Sequence, residues 1–283
     1  MEINRLSEFT ESLTKIKSIS HKTLFFRGHS NLDYTLKPTL YRKEKFYLSE
    51  DKIFKDILLS CPQDFSNTKN TMEILVKMQH YGVPTRILDL TKNALVALFF
   101  ACESNYNEDG EVLLLHIPNK EVCYFDSDKV SILSNIAKQN ISFMFEYPSS
   151  FDNEDIKQVE YINKEYFGYL LHSIKEEKSH FKDIINPRDL EKVFAVQAKL
   201  DNPRIIRQGG AFLIFGVKNT KFKPAEVPSE WILKPNGESI IIPKSSKLKI
   251  LEELDILGIN RSTLFPELED QAGYIKKKYT NDI

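Results

Sequence analysis

Three short stretches hold most of the side chains that could do chemistry: "FFRGH" (25 to 29), "QHYGVPTRILDLT" (79 to 91) and "RIIRQGGAF" (204 to 212). In each, polar residues stand at the end of an apolar run, where a rigid scaffold can hold them facing a cleft. Arg27 carries a guanidinium that stays protonated and needs acceptors wherever it is buried. Its partner is therefore a carboxylate, a backbone carbonyl or a bound anion such as a phosphate. Asp89 is the obvious internal acceptor, so a buried Arg27–Asp89 ion pair and an anion-binding arginine both stay open. Gly28 lets a backbone or a ligand come close.

The middle stretch packs His80, Tyr81, Arg86, Asp89 and Thr91 around a helix end, a proline turn and a new helix start. The free N–H groups at that helix start suit an anionic group of a ligand. Asp89 or Thr91 is equally well read as the helix cap, and His80 as a capping residue at the preceding helix C-terminus. In a ligand site, His80 would act as acid or base, or stack with Tyr81 on a ring. In the third stretch, Gln208 precedes paired glycines at a strand entry. This is the pattern of a bulge, of a flat neighbour with Gln208 at the strand's mouth, or of a plain turn. His172, Glu176 and His180 lack metal-ligand spacing, so no metal is expected. The absence of GxSxG, GxxxxGK[ST] and GxGxxG disfavours common serine hydrolases, P-loop enzymes and dinucleotide-binding Rossmann folds.

The positioning elements follow from periodicity. Residues 4 to 17 read as an amphipathic helix and "TLFFRG" as a strand, with 31 to 42 an extended strand or loop folding back beside it. "KFYLSEDKIFKDILLSC" and "TMEILVKMQHYG" read as two helices, the second stopped by Gly82 and Pro84. A short extended segment then leads into "ALVALFFAC" (94 to 102), apolar on every face and about half the length of a bilayer span, hence a core helix. Strands are expected at 111 to 117, 192 to 199, 211 to 217 and 239 to 243, with a helical insertion at 128 to 190 and two helices in the tail from Ser246 to Tyr279. Strands and helices without regular βαβ alternation predict an α+β fold, with a mixed or antiparallel central sheet and flanking helices. No linker or repeat divides the chain, so 1 to 283 is read as one domain.

The bulk numbers restrict partners. The chain has 283 residues, 41% of them hydrophobic, and 39 basic against 40 acidic side chains. That balance suits a globular protein with no field to gather nucleic acid or an anionic membrane, so any phosphate recognition must be local. A nucleic-acid partner is left open but not indicated, and no membrane partner is expected. No secretory signal is apparent at the N-terminus, and Cys61, Cys102 and Cys123 form no CxxC pair, which points to a reducing cytoplasm.

The three stretches together resemble the FRG domain family, named for the motif found here at Phe26, Arg27 and Gly28. "QHYGVPTRILDLTKNALVALFFA", "RIIRQGGAF" and the closing "LGINRSTLFPELE" are similar to further segments of that family. A more distant resemblance is to NAD-dependent ADP-ribosyltransferases, in which an aromatic-Arg-Gly strand end precedes a polar segment and an Ala-x-x-Phe-Phe-Ala helix. It implies that Arg27 holds a phosphate or ribose of NAD and that Thr91 supports the nicotinamide ribose. Gln208 stands where those enzymes carry a glutamate, so Asp89 or Glu267 would have to supply the charge that stabilises the transition state. The implied function is a nucleotide-binding toxin or phage-defence effector with Arg27, Asp89 and Gln208 catalytic, and Gly28, His80, Tyr81, Arg86 and Thr91 binding the cofactor. The alternative is a non-catalytic sensor of a nucleotide, nucleic acid or protein.

Overall fold

The computed structural model describes residues 1–16 and 19–280. Among the described residues, eight strands form one curled, mixed sheet flanked by helices, the α+β arrangement expected. They are β1 (Lys22–His29), β2 (Ile87–Thr91), β3 (Gly110–Pro118), β4 (Val122–Tyr124), β5 (Val193–Gln197), β6 (Gly210–Phe215), β7 (Ile232–Leu233) and β8 (Ile240–Ile242). The order is β4-β5-β6-β2-β1-β3-β7, with β8 also paired to β3. Every pairing is antiparallel except β4 with β5.

The sheet explains the paired phenylalanines. Neighbouring residues of a strand point to opposite faces, so Phe25 enters one core with Leu88, Leu90, Leu213 and Trp231. Phe26 enters another with the helices Ala94–Cys102 and Lys247–Ile256. A third core lies between the sheet and the helices Glu50–Ser60, Thr71–His80, Asp128–Asn135, Ile156–Tyr166 and Gly168–Glu177. The last three belong to the region read as a helical insertion. Among the described residues, no helix is long and apolar enough to cross a membrane.

Several local expectations change. Residues 31 to 42 form no strand; they run as a loop into a 3-10 turn at Thr39–Arg42, since Pro38 has no N–H to add to a ladder. The helix expected from "KFYLSEDKIFKDILLSC" is two, Glu44–Tyr47 and Glu50–Ser60, separated at Leu48 and Ser49. The opening helix ends at Thr14, and Lys17 of its expected span lies outside the described residues. The tail carries a short extra helix, Arg261–Leu264, closed by a capping box between Asn260 and Thr263. The three-residue β4 and two-residue β7 give too short an alternation to be read from sequence.

Candidate functional site

β1 and β2 share a single paired position, Phe26 with Thr91, although β1 runs on to His29 and β2 begins at Ile87. Beside this junction opens a cleft of about 280 Å3, slightly below the ~300–1,000 Å3 usual for small-molecule sites. Its walls include Arg27, Gly28, His80, Asp89, Thr91 and Gln208 from the three stretches singled out by sequence. They also include Tyr34, Arg42, Gln79 and Arg204.

Arg27 reaches across the junction. Its Nη1 donates to the backbone carbonyl of Asp89 at 2.6 Å and its Nε donates to His29 Nε2 at 3.0 Å. Neither oxygen of the Asp89 carboxylate forms a salt bridge with it. Three of the five guanidinium donors therefore meet no protein acceptor among the described residues. Burial lowers the Arg27 pKa to about 10, with Asp89 opposing the fall and Arg42 adding to it. The group is still cationic at neutral pH.

Asp89 is exposed to the cleft and held by its neighbours. Gln79 Nε2 donates to its Oδ2 at 2.7 Å, and Thr85 Oγ1 donates to Gln79 Oε1 at 2.7 Å. This chain fixes the Gln79 amide and, through it, the carboxylate. Asp89 does not cap the following helix. Asn93 does, accepting from the Leu95 N–H at 3.0 Å, because β2 keeps Asp89 and Thr91 extended.

Thr91 lines the cleft, but its hydroxyl is engaged. It donates to the Gln208 carbonyl at 2.6 Å and accepts from the Asn93 N–H at 2.9 Å. Gln208 ends a short helix, Pro203–Gln208, rather than entering a strand, and its amide donates to the Leu264 carbonyl at 3.2 Å. The paired glycines form no bulge. Gly209 is the left-handed cap of that helix, at φ 56°, and Gly210 starts β6.

His80, the last residue of the Thr71–His80 helix, lines the cleft and pairs through Nε2 with Glu267 Oε1 at 2.8 Å. Burial lowers its pKa and nearby Arg204 pushes the same way, while Glu267 and Asp270 oppose them. Tyr81 is exposed and packs its ring 4.8 Å from that of His80, but it lines a neighbouring groove rather than this cleft.

Two assignments are corrected by geometry. Arg86 is 0% exposed and far from solvent. Its Nε and Nη2 bind Glu50 at 2.7 and 2.5 Å and its Nη1 binds the Phe215 carbonyl at 2.9 Å, so it is a structural group whose charge is already paired inside the core. Gly28 borders the cleft, but what it admits is the Ala94–Cys102 helix: a Cβ at Gly28 would stand 2.6 Å from the Ala101 nitrogen.

Arg42, Gln79, Arg204 and Tyr34 also line the cleft, and the sequence does not single them out as site residues. Gln79 and Arg204 stand at the head of two stretches already marked by their polar content, which was the available signal. Arg204 stacks its guanidinium 4.5 Å from the Phe265 ring, a contact between segments 61 residues apart that no local pattern announces. Arg42 lies 6.0 Å over the Tyr34 ring and donates to the Lys37 carbonyl. The cleft lining thus carries three arginines against one carboxylate, Asp89.

Residues 22–110 match the model of the family described as the FRG domain. That segment carries β1, β2, the Ala94–Cys102 helix and the Arg27, Arg42, Gln79 and Asp89 side of the cleft; Arg204 and Gln208 lie beyond it. No curated protein and no solved structure matches the chain.

Proposed function

We propose that the cleft binds a phosphate-bearing nucleotide, NAD or a close relative, and that Asp89 acts on its ribose. On this reading the protein is an ADP-ribosyltransferase-like enzyme of a toxin or phage-defence system. The observation that carries the proposal is the unspent donor capacity of Arg27 in a cleft that also holds Arg42 and Arg204. Guanidinium groups with open forks recognise phosphate oxygens, and each charge-assisted hydrogen bond so formed contributes about 1.5–3 kcal/mol. At about 280 Å3 the cleft accommodates a nucleoside-sized part of the ligand, and the remainder extends toward its mouth.

Asp89 supplies the chemistry. A carboxylate held by Gln79 and facing the cleft can accept from a ribose hydroxyl and stabilise positive charge developing at the anomeric carbon as the glycosidic bond breaks. Gln208 does not have this role, since a neutral amide lacks the charge that stabilises a developing cation, and one of its N–H groups is given to the Leu264 carbonyl.

Calorimetric titration with NAD and ADP-ribose, together with an assay for released nicotinamide, tests the reading. Binding by the wild type, lost in Arg27→Ala, with nicotinamide release lost in Asp89→Asn, is the expected result. Absence of binding to any nucleotide at low salt would remove it.

A second reading, a nucleotide sensor without turnover, is favoured by one observation: the Thr91 hydroxyl and one Gln208 amide N–H are already given to backbone carbonyls of the protein. Tight NAD binding by the wild type with no nicotinamide release and no macromolecule modified would establish it.

A further inference from the structure

We propose that His29 is a positioning residue for Arg27, with Glu111 fixing the tautomer that makes this possible. The proposal rests on the reading of Arg27 as the anion-binding group of the cleft. His29 is 1% exposed and lies two residues beyond Arg27 on β1, on the same face of the sheet. Its Nε2 faces Arg27 Nε at 3.0 Å, and its Nδ1 faces Glu111 Oε1 at 3.2 Å from the paired strand β3.

The chemistry of the partners decides the proton's place. Arg27 Nε carries a hydrogen at all relevant pH values, so His29 Nε2 must be the acceptor. The single proton of the neutral ring is then on Nδ1, where it donates to the Glu111 carboxylate. This is the arrangement by which an outer carboxylate orients an imidazole and, through it, a working group. With Nε held by His29 and one Nη1 hydrogen by the Asp89 carbonyl, the guanidinium plane is fixed and its remaining donors are aimed without rotamer search.

The arrangement also fails in a defined way. A proton added to His29 goes to Nε2, where N–H would then face N–H, and Arg27 loses its anchor. Four side chains bear on that protonation. Arg27 on β1 and Arg42 in the Thr39–Arg42 turn oppose it, Glu111 on β3 favours it, and the Tyr34 ring packs edge-on at 6.0 Å between centroids. Burial outweighs the rest, so His29 stays neutral through neutral pH and below its ordinary range. Protonation of His80 has the opposite consequence for an anion, since it adds a cation to the cleft wall. A terminal phosphate such as that of ADP also takes up a proton at about pH 6, so the mark of His29 is the part of an acid loss of affinity that the wild type shows and His29→Gln does not.

Nitrogen NMR on histidine- and arginine-labelled protein, with ADP as the binding probe, tests this. The wild type should show His29 with its proton on Nδ1 at neutral pH, and an Arg27 Nε signal that moves when His29 titrates in acid. Affinity for ADP should fall about tenfold across that titration, the loss of one charge-assisted bond. His29→Gln, whose amide can accept from Arg27 and donate to Glu111 but does not titrate, should remove the part of the acid loss that exceeds the probe's own protonation. His29→Phe should bind weakly at every pH. Glu111→Gln removes the charge that favours protonation, so the acid loss should move to lower pH. A proton on Nε2 at neutral pH, or a His29→Phe protein with wild-type affinity and pH profile, would overturn the proposal. If the tautomer and the Arg27 response are as stated but ADP does not bind, the positioning role stands and the nucleotide reading is what fails.

Discussion

Gly28 of β1 lies against the backbone of Ala97 in the Ala94–Cys102 helix, so closely that a Cβ on Gly28 would overlap the Ala97 carbonyl oxygen and stand 2.6 Å from the Ala101 nitrogen. The clash would be with helix backbone, which has no rotamer to change. The same helix begins at Asn93, whose N–H is bound to Thr91 Oγ1 in the cleft wall. Helix, strand and cleft wall are thus tied together, and the glycine of the Phe-Arg-Gly motif sets the distance between the first two.

Gly28→Ala should therefore destabilise the whole protein, at or above the upper end of the ~1–3 kcal/mol typical of overpacking. Urea unfolding followed by circular dichroism reads the effect. A variant that keeps the wild-type midpoint but loses ligand binding would assign Gly28 to the ligand instead of the helix.

Glu50 should be the most sensitive buried charge. It receives Arg86 in a two-pronged pair and Lys221 at 2.8 Å, and Lys221 also donates to the carbonyls of Ile136 and Gln139. Burial works against the Glu50 carboxylate, but Arg86 and Lys221 outweigh it and hold its pKa below the ordinary value. Glu50→Leu leaves two buried cations without their acid and should cost about 3–5 kcal/mol. The triple change Glu50→Leu, Arg86→Met, Lys221→Met should recover part of that loss, because no buried charge is left unpaired, although the carbonyls of Phe215, Ile136 and Gln139 lose their side-chain donors. Thermal denaturation of both proteins checks the pair of outcomes; equal losses would mean that packing, not charge, dominates the site.

The difference between Arg27 and Arg86 also marks the limit of the sequence. Both follow apolar or β-branched neighbours, and both read as candidates for an anion. One sits at a strand junction with donors facing a cleft, the other in a closed core with its charge paired, because Glu50 arrives from a helix 36 residues earlier. The strand and helix pattern was legible because apolar periodicity is local: β1, the Ala94–Cys102 helix and the four longer strands lie close to where alternation and apolar runs put them. Which three stretches meet was legible from their polar content at element ends. What each side chain does there was not. The Gln208 amide donates to the Leu264 carbonyl and the Thr91 hydroxyl to the Gln208 carbonyl, and Arg204 enters the site by stacking on Phe265. Those partners are far apart in sequence, and only tertiary packing selects them.

Arg204 should contribute to affinity with little effect on stability. It is partly exposed, and its stacking on Phe265 is of the kind that contributes about 0.5–1 kcal/mol at accessible sites. If it meets a ligand phosphate, Arg204→Ala should weaken nucleotide binding by roughly tenfold or more. It should also flatten the dependence of affinity on salt, while the melting temperature changes by only a few degrees. Titrations at low and moderate salt measure both. An unchanged affinity and salt dependence would confine the arginine to packing against the C-terminal segment.

Stability should fall as the pH drops below about 6.5, the ordinary histidine value. Burial is the leading cause that lowers the pKa of His29, of His80 and of His116. For His29 the Glu111 carboxylate opposes the shift, for His80 the Glu267 carboxylate does, and for His116 the Lys22 ammonium adds to it. In each case the folded value lies below the unfolded one, so within that window the unfolded chain binds more protons. Stability then rises with pH through the window, is fully present above about 6.5, and is lost as the pH falls through the folded values. His116 gives the cleanest single test, because its Nδ1 is buried with no hydrogen-bond partner among the described residues and it lies outside the cleft. His116→Phe removes both the unpaired nitrogen and one titrating group. Urea midpoints at pH 7.5 and 5.5 should differ less in this variant than in the wild type, with nucleotide affinity unaltered. A wild-type midpoint that rises on acidification would show instead that these histidines gain protons on folding, and would reverse the sign argued for all three.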